Sequence, residues 1–81
     1  MRLGKVIGNV VSTKKHASLV GGKFMKVELE SKEIIVSMDQ IGAGLGDIVI
    51  VTEGHNARYA YEGSFERPID SVIVGIVDEL K

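Results

Sequence analysis

The stretch Lys23-Phe24-Met25-Lys26-Val27-Glu28-Leu29-Glu30, then Ser31-Lys32, then Glu33-Ile34-Ile35-Val36-Ser37-Met38-Asp39, decides the fold class. In its first part Met25, Val27 and Leu29 alternate with Lys26, Glu28 and Glu30. A period of two puts one set on each side of a pleated strand, one face buried and one wet. Ser31-Lys32 reads as a short hairpin turn, and Glu33–Asp39 as the returning strand. Continuing the alternation places Ile34, Val36 and Met38 inward.

Working outward from this hairpin, Leu3–Thr13 reads as a long first strand. Gly4 and Gly8 interrupt it, and glycine inside a strand often marks a bulge or a tight bend. Lys14–Gly22 is polar, ends in Gly21-Gly22 and reads as a loop. Downstream, Gln40–Gly46 is glycine-rich. Asp47–Glu53 holds the unbroken run Ile48-Val49-Ile50-Val51, which suits a strand covered on both faces. His55-Asn56-Ala57-Arg58-Tyr59-Ala60 allows one or two helical turns. Glu62–Asp70 is irregular, and Ser71–Leu80 is a last strand. The expectation is a mainly all-β chain, one domain over residues 1–81. Five short strands and one short helix suggest a small, closed or nearly closed barrel of the oligonucleotide/oligosaccharide-binding (OB-like) type.

Composition agrees. The 81 residues include 11 Val and 9 Ile against 5 Leu and 4 Ala. Val and Ile are stiff at the first side-chain torsion and fit pleated surfaces. A domain this small gains about 3–5 kcal/mol from its own core and usually needs a staple. There is no Cys, so disulfides, thiolate zinc sites and thiol nucleophiles are excluded together. That points to oligomerisation as the staple. No apolar run reaches the roughly 18 residues of a membrane span, and Met1-Arg2-Leu3-Gly4-Lys5 is not a signal peptide. The expectation is a cytoplasmic protein that engages no membrane.

The net charge of −1 hides an asymmetry. Residues 1–27 hold six basic side chains and no acid, whereas residues 28–81 hold four basic and eleven acidic ones. The two parts carry +6 and −7. A basic half can mark a nucleic-acid surface, and a single-strand-binding barrel is the alternative reading. Such modules stack bases on aromatic rings. Here Phe24 is the one aromatic in the basic half, and Tyr59, Tyr61 and Phe65 lie in the acidic part. Pairing of the two parts with each other, within or between subunits, accounts better for the pattern.

No motif for catalysis stands out. Gly42-Ala43-Gly44-Leu45-Gly46 invites a phosphate-loop reading, but such a loop needs a helix N-terminus behind it. A strand led by Asp47 follows instead. The glycines read as a tight backbone crossing where side chains do not fit. His16 and His55 are far apart in sequence and lack a partner at metal-ligand spacing, and Gly63 breaks the Glu62/Glu66 pair. No nucleophile-elbow pattern is present, so catalytic residues, metal and cofactor are all expected to be none. A small enzyme with a site around His55 and Arg58 between subunits is the remaining catalytic reading. Pro68 holds Arg67 extended, and Arg67-Pro68-Ile69-Asp70 suits either a charge pair or a surface turn before the last strand.

Several strings in order resemble the EutN/CcmL family, the pentameric vertex proteins of bacterial microcompartment shells. They are Gly4-Lys5-Val6 with Gly8–Lys15, Ile41–Asp47, Val51–Gly54, Ala57-Arg58, Glu66–Asp70 and Val74–Asp78, spanning nearly the whole chain. The resemblance implies a five-stranded barrel with a short helix and no catalysis. It implies five copies around an axis, filling the corners of a shell tiled by hexameric proteins and enclosing enzymes. On it, Gly42, Ala43, Gly44, Gly46 and Asp47 form one side of the subunit interface, with Gly54, Ala57 and Arg58. Arg67, Pro68 and Asp70 supply contacts at or near the boundary. Where the family usually has Gly-Ser-Ser-Ala-Arg, this chain has Gly54-His55-Asn56-Ala57-Arg58, which makes His55 and Asn56 the candidates for the axial region. Ser31-Lys32 is also shorter than the connection many members carry there.

Overall fold

The computed structural model describes residues 1–11, 22–54 and 70–81. Five strands run through them: β1 (Arg2–Val10), β2 (Lys23–Leu29), β3 (Ile34–Asp39), β4 (Ile48–Glu53) and β5 (Ser71–Ile76). They close into a barrel in the order β1-β2-β3-β5-β4. Every neighbouring pair is antiparallel except β3 and β5, which run parallel and meet only at Met38↔Val72 and Asp39↔Ile73. The expected helix at His55–Ala60 and all of the expected loop Lys14–Gly22 except Gly22 lie outside the described residues.

Closure buries Val6, Met25, Val27, Leu29, Val49, Val51 and Ile73 in one cluster. Met25, Val27 and Leu29 are the residues the alternation places inward. β4 is shielded along its length, as its unbroken apolar run requires. The register between β1 and β2 slips from Val6↔Val27 to Gly8↔Lys26, so Ile7 is an extra residue that bends the strand. At Gly4 a Cβ would stand 2.5 Å from Val27 Cγ1 and 3.1 Å from the Glu28 carbonyl, so the barrel wall admits no side chain there.

β3 departs from the sequence expectation. Ile34 and Val36 are 50% and 49% exposed, while Ile35 packs on the core and Ser37 is fully buried. The turn explains the reversal. Leu29 N–H donates to Glu33 O (2.8 Å), and Lys32 N–H donates to Leu29 O (2.9 Å). The connection is therefore three residues, Glu30-Ser31-Lys32. Lys32 sits in the left-handed region at φ 74°, the usual form of a three-residue hairpin loop. One residue beyond a Ser31-Lys32 turn moves the pairing by one, to Val27↔Ile35 and Met25↔Ser37. With a side-chain period of two, that flips the whole strand. Met38 is buried as expected, but it pairs with Phe24, on the face opposite Met25.

Among the described residues the buried polar ones are Ser37 and Asp39 on β3, Thr52 on β4 and Ser71 on β5. The Ser37 and Ser71 hydroxyls bond each other at 2.5 Å across the short parallel seam of β3 and β5.

Candidate functional site

The loop between β3 and β4 carries five of the residues singled out in the sequence. Its geometry begins with Asp39, the last residue of β3, whose side chain is 0% exposed. One carboxylate oxygen accepts the N–H groups of Ile41 (2.9 Å) and Gly42 (3.2 Å), and the other accepts that of Ala43 (2.8 Å). Lys23 reaches across from β2. Its ammonium lies 3.4 Å from the Asp39 carboxylate and donates to the Ala43 carbonyl at 3.0 Å. A run of backbone N–H groups is an anion cradle, and here the chain's own carboxylate fills it. That closes the phosphate reading of the glycines.

The far end of the loop is held separately. Gly44 N–H donates to Asp47 Oδ2 at 2.8 Å, and Asp47 N–H returns to Gly44 O at 3.0 Å. Gly46 N–H donates to Val6 O and Val6 N–H to Asp47 O, both at 2.9 Å, so the loop is stitched to β1 beside its bulge. Ala43 is completely buried and belongs to the core cluster. The loop thus folds against the barrel, with Ile41 and Leu45 left 48% and 75% exposed.

The glycines are needed for a different reason than crowding. Gly42 and Gly46 have φ of +99° and +88°, a conformation that side chains rarely adopt, yet a Cβ at either would meet nothing within 4 Å among the described residues. Inside the subunit these positions are turns, not a tight crossing.

Gly54, at φ +70°, donates its N–H to Asp70 O at 2.8 Å, so these two expected interface residues are neighbours at the end of β4. His55, Asn56, Ala57, Arg58, Arg67 and Pro68 lie outside the described residues. The sequence reading does not single out Asp39 or Lys23. Asp39 had a signal, since an Asp two residues before a turn amide commonly caps it. Lys23 had none, because its partner is sixteen residues away in the chain.

The charge asymmetry is partly resolved within the subunit. Arg2 lies 3.7 Å from Glu33 and 3.6 Å from Glu53, and donates to Ser31 Oγ at 2.9 Å. With Lys23 on Asp39, two basic side chains of the first part are matched by acids of the second. Among the described residues no group of three His, Cys, Asp or Glu could hold a metal ion.

The comparison with known families rests on the whole barrel. A family model described as ethanolamine utilisation protein EutN/carboxysome matches residues 1–78. The chain belongs to the EutN/CcmL family. Among its relatives, the bacterial microcompartment shell vertex protein GrpN of Rhodospirillum rubrum is 45% identical, with all of this chain and 97% of the relative aligned. The carboxysome shell vertex protein CcmL of Gloeobacter violaceus is 39% identical over 96% of this chain and 83% of its own length. The solved structure of that CcmL superposes with a TM-score of 0.91 at 39% identity, covering 100% of this chain and 89% of the other. The GrpN pentameric microcompartment shell protein superposes at 0.83 with 44% identity, covering 100% and 96%. GrpN and the Gloeobacter violaceus CcmL are both named as shell proteins.

Proposed function

We propose that this chain is a structural component of a bacterial microcompartment shell in the cytoplasm, not an enzyme. Five copies form a ring that caps a fivefold corner of the polyhedron. The observation that carries this reading is the end-to-end match, in sequence and in fold, to a pentameric shell protein at 44% identity.

The mechanism is geometric. Hexagonal tiles alone make flat or tubular sheets, and closed curvature needs fivefold points. A cyclic ring joins one patch of each subunit to a different patch of the next, with a rotation that closes. One such patch is the Gly42–Asp47 loop together with Gly54, Ala57 and Arg58, while Arg67, Pro68 and Asp70 lie at or near the boundary. His55 and Asn56 line the axial region. The ring's outer partners are the hexameric proteins of the shell, and enclosed enzymes are met only indirectly.

Native mass spectrometry of the purified chain tests this. A five-subunit species is expected; a clean monomer across micromolar concentrations overturns the reading.

A further inference from the structure

We infer that Asp39 is a positioning residue for ring assembly: with Lys23 it pre-sets the Ile41–Asp47 loop, so that Ile41 and Leu45 face outward as an apolar contact for a second copy of this chain. This rests on the proposal that the loop lies at a subunit boundary, and it names what gives the loop its docking shape.

Three consecutive N–H groups, those of Ile41, Gly42 and Ala43, converge on one buried carboxylate. That convergence fixes the backbone on one side, and Lys23 on the Ala43 carbonyl fixes it on the other. Asp47 and the strand bonds to Val6 hold the remainder. Association normally costs the ordering of whatever loops meet. A loop already held in the free subunit avoids that cost, and the Lys23 charge opposite Asp39 leaves its underside without an unmatched ion.

Exposure of Ile41 and Leu45 would by itself be unremarkable, since single apolar side chains are common on surfaces. Gly44 supplies the further observation. It is not in the left-handed region, and among the described residues the only atom a Cβ there would meet is Asp47 Oδ2, at 3.8 Å. Neither its conformation nor its packing against the described residues asks for glycine at this position. A glycine there leaves room for another backbone to approach closely, between the two outward apolar side chains.

The test measures two quantities on the full chain: the concentration at which pentamers give way to monomers, and amide exchange residue by residue. Asp39→Asn should speed exchange at Ile41, Gly42 and Ala43 at least tenfold. Val27 and Val49 should stay protected, and the dissociation midpoint should rise tenfold or more. Leu45→Asp should raise the midpoint similarly while the loop amides stay protected. Asp39→Asn should add less in the Leu45→Asp background than in the native chain. A merely stabilising Asp39 would lower the melting temperature without that coupling. If Asp39→Asn loosens the loop yet assembles like the native chain, while Leu45→Asp does not assemble, the inference about Asp39 fails alone. If neither variant moves the midpoint, the placement of the loop at the boundary fails first. Should Asp39→Asn lose protection at Val27, Asp47→Asn takes its place. The Gly44 amide is then the loop readout, and a loosened loop with unchanged assembly again overturns the inference.

Discussion

The two connections that flank β3 solve the same backbone problem by different means. The Glu30–Lys32 turn takes a left-handed residue without glycine, at Lys32, and its backbone closes through two local bonds of its own. The Gln40–Asp47 loop takes two left-handed glycines and relies on side chains, Asp39 and Asp47, to satisfy its amides. The turn is exposed and closes its backbone locally, with Arg2 of β1 donating to Ser31 Oγ beside it. The loop is held through the tertiary structure, by Lys23 from β2 and by Val6 from β1. A hairpin turn only has to reverse the chain. On the proposal that the loop presents a contact surface, it has to hold one shape against solvent, and the buried ionic group sits where it would serve that.

The comparison breaks if the loop proves no more dependent on its side chains than the turn. Asp39→Ala tests this most severely. It leaves three amides without their acceptor and Lys23 without its partner, at a cost of about 3 kcal/mol or more. The thermal midpoint of dilute protein should fall by more than about 10 °C. Next come the glycines. Gly46→Ala should cost about 1–2 kcal/mol through its left-handed backbone. Gly44→Ala should change subunit stability by less than about 0.5 kcal/mol, while still weakening the pentamer in native mass spectrometry. Equal effects of the two on urea unfolding of the subunit would remove the distinction between conformation and contact.

Lys32→Gly should act in the opposite direction. It relieves a left-handed side chain at some entropic cost, so the turn should gain about 0.5–1 kcal/mol and the melting point a few degrees. A loss instead would mean that Lys32 makes a contact worth more than its strain. The effect of Arg2→Ala is also expected to be small. Its pairs with Glu33 and Glu53 are solvent-exposed at 3.6–3.7 Å, so removal should cost under about 1 kcal/mol, and less in high salt.

The strands of the barrel were legible because each leaves a local trace. Met25, Val27 and Leu29 show the alternation, Ile48–Val51 the doubly covered run, and Gly8 marks the bulge. The face of β3 was not legible. Ile34-Ile35-Val36 places apolar side chains at both parities, so the pattern cannot choose between them. The choice depends on whether the turn has two or three residues, and nothing in Glu30-Ser31-Lys32 displays the glycine that normally announces the longer form. At the candidate site the glycines were visible and their neighbourhood was not. Their clustering suggests crowding, whereas inside the subunit the requirement is backbone conformation at Gly42 and Gly46.

By itself, then, the amino-acid order determined the class of fold, the order and rough positions of the strands (the last ends at Ile76, short of the expected Leu80) and the family, since all three are written in short-range periodicity and in motifs read along the chain. Tertiary structure decided which side of β3 meets the core. It also decided that a carboxylate at the end of β3 and an ammonium from β2 would organise the glycine loop. The physical reason is common to both. Strand register and ion-pair geometry are properties of two segments brought together, and no pattern within one segment encodes the distance to the other.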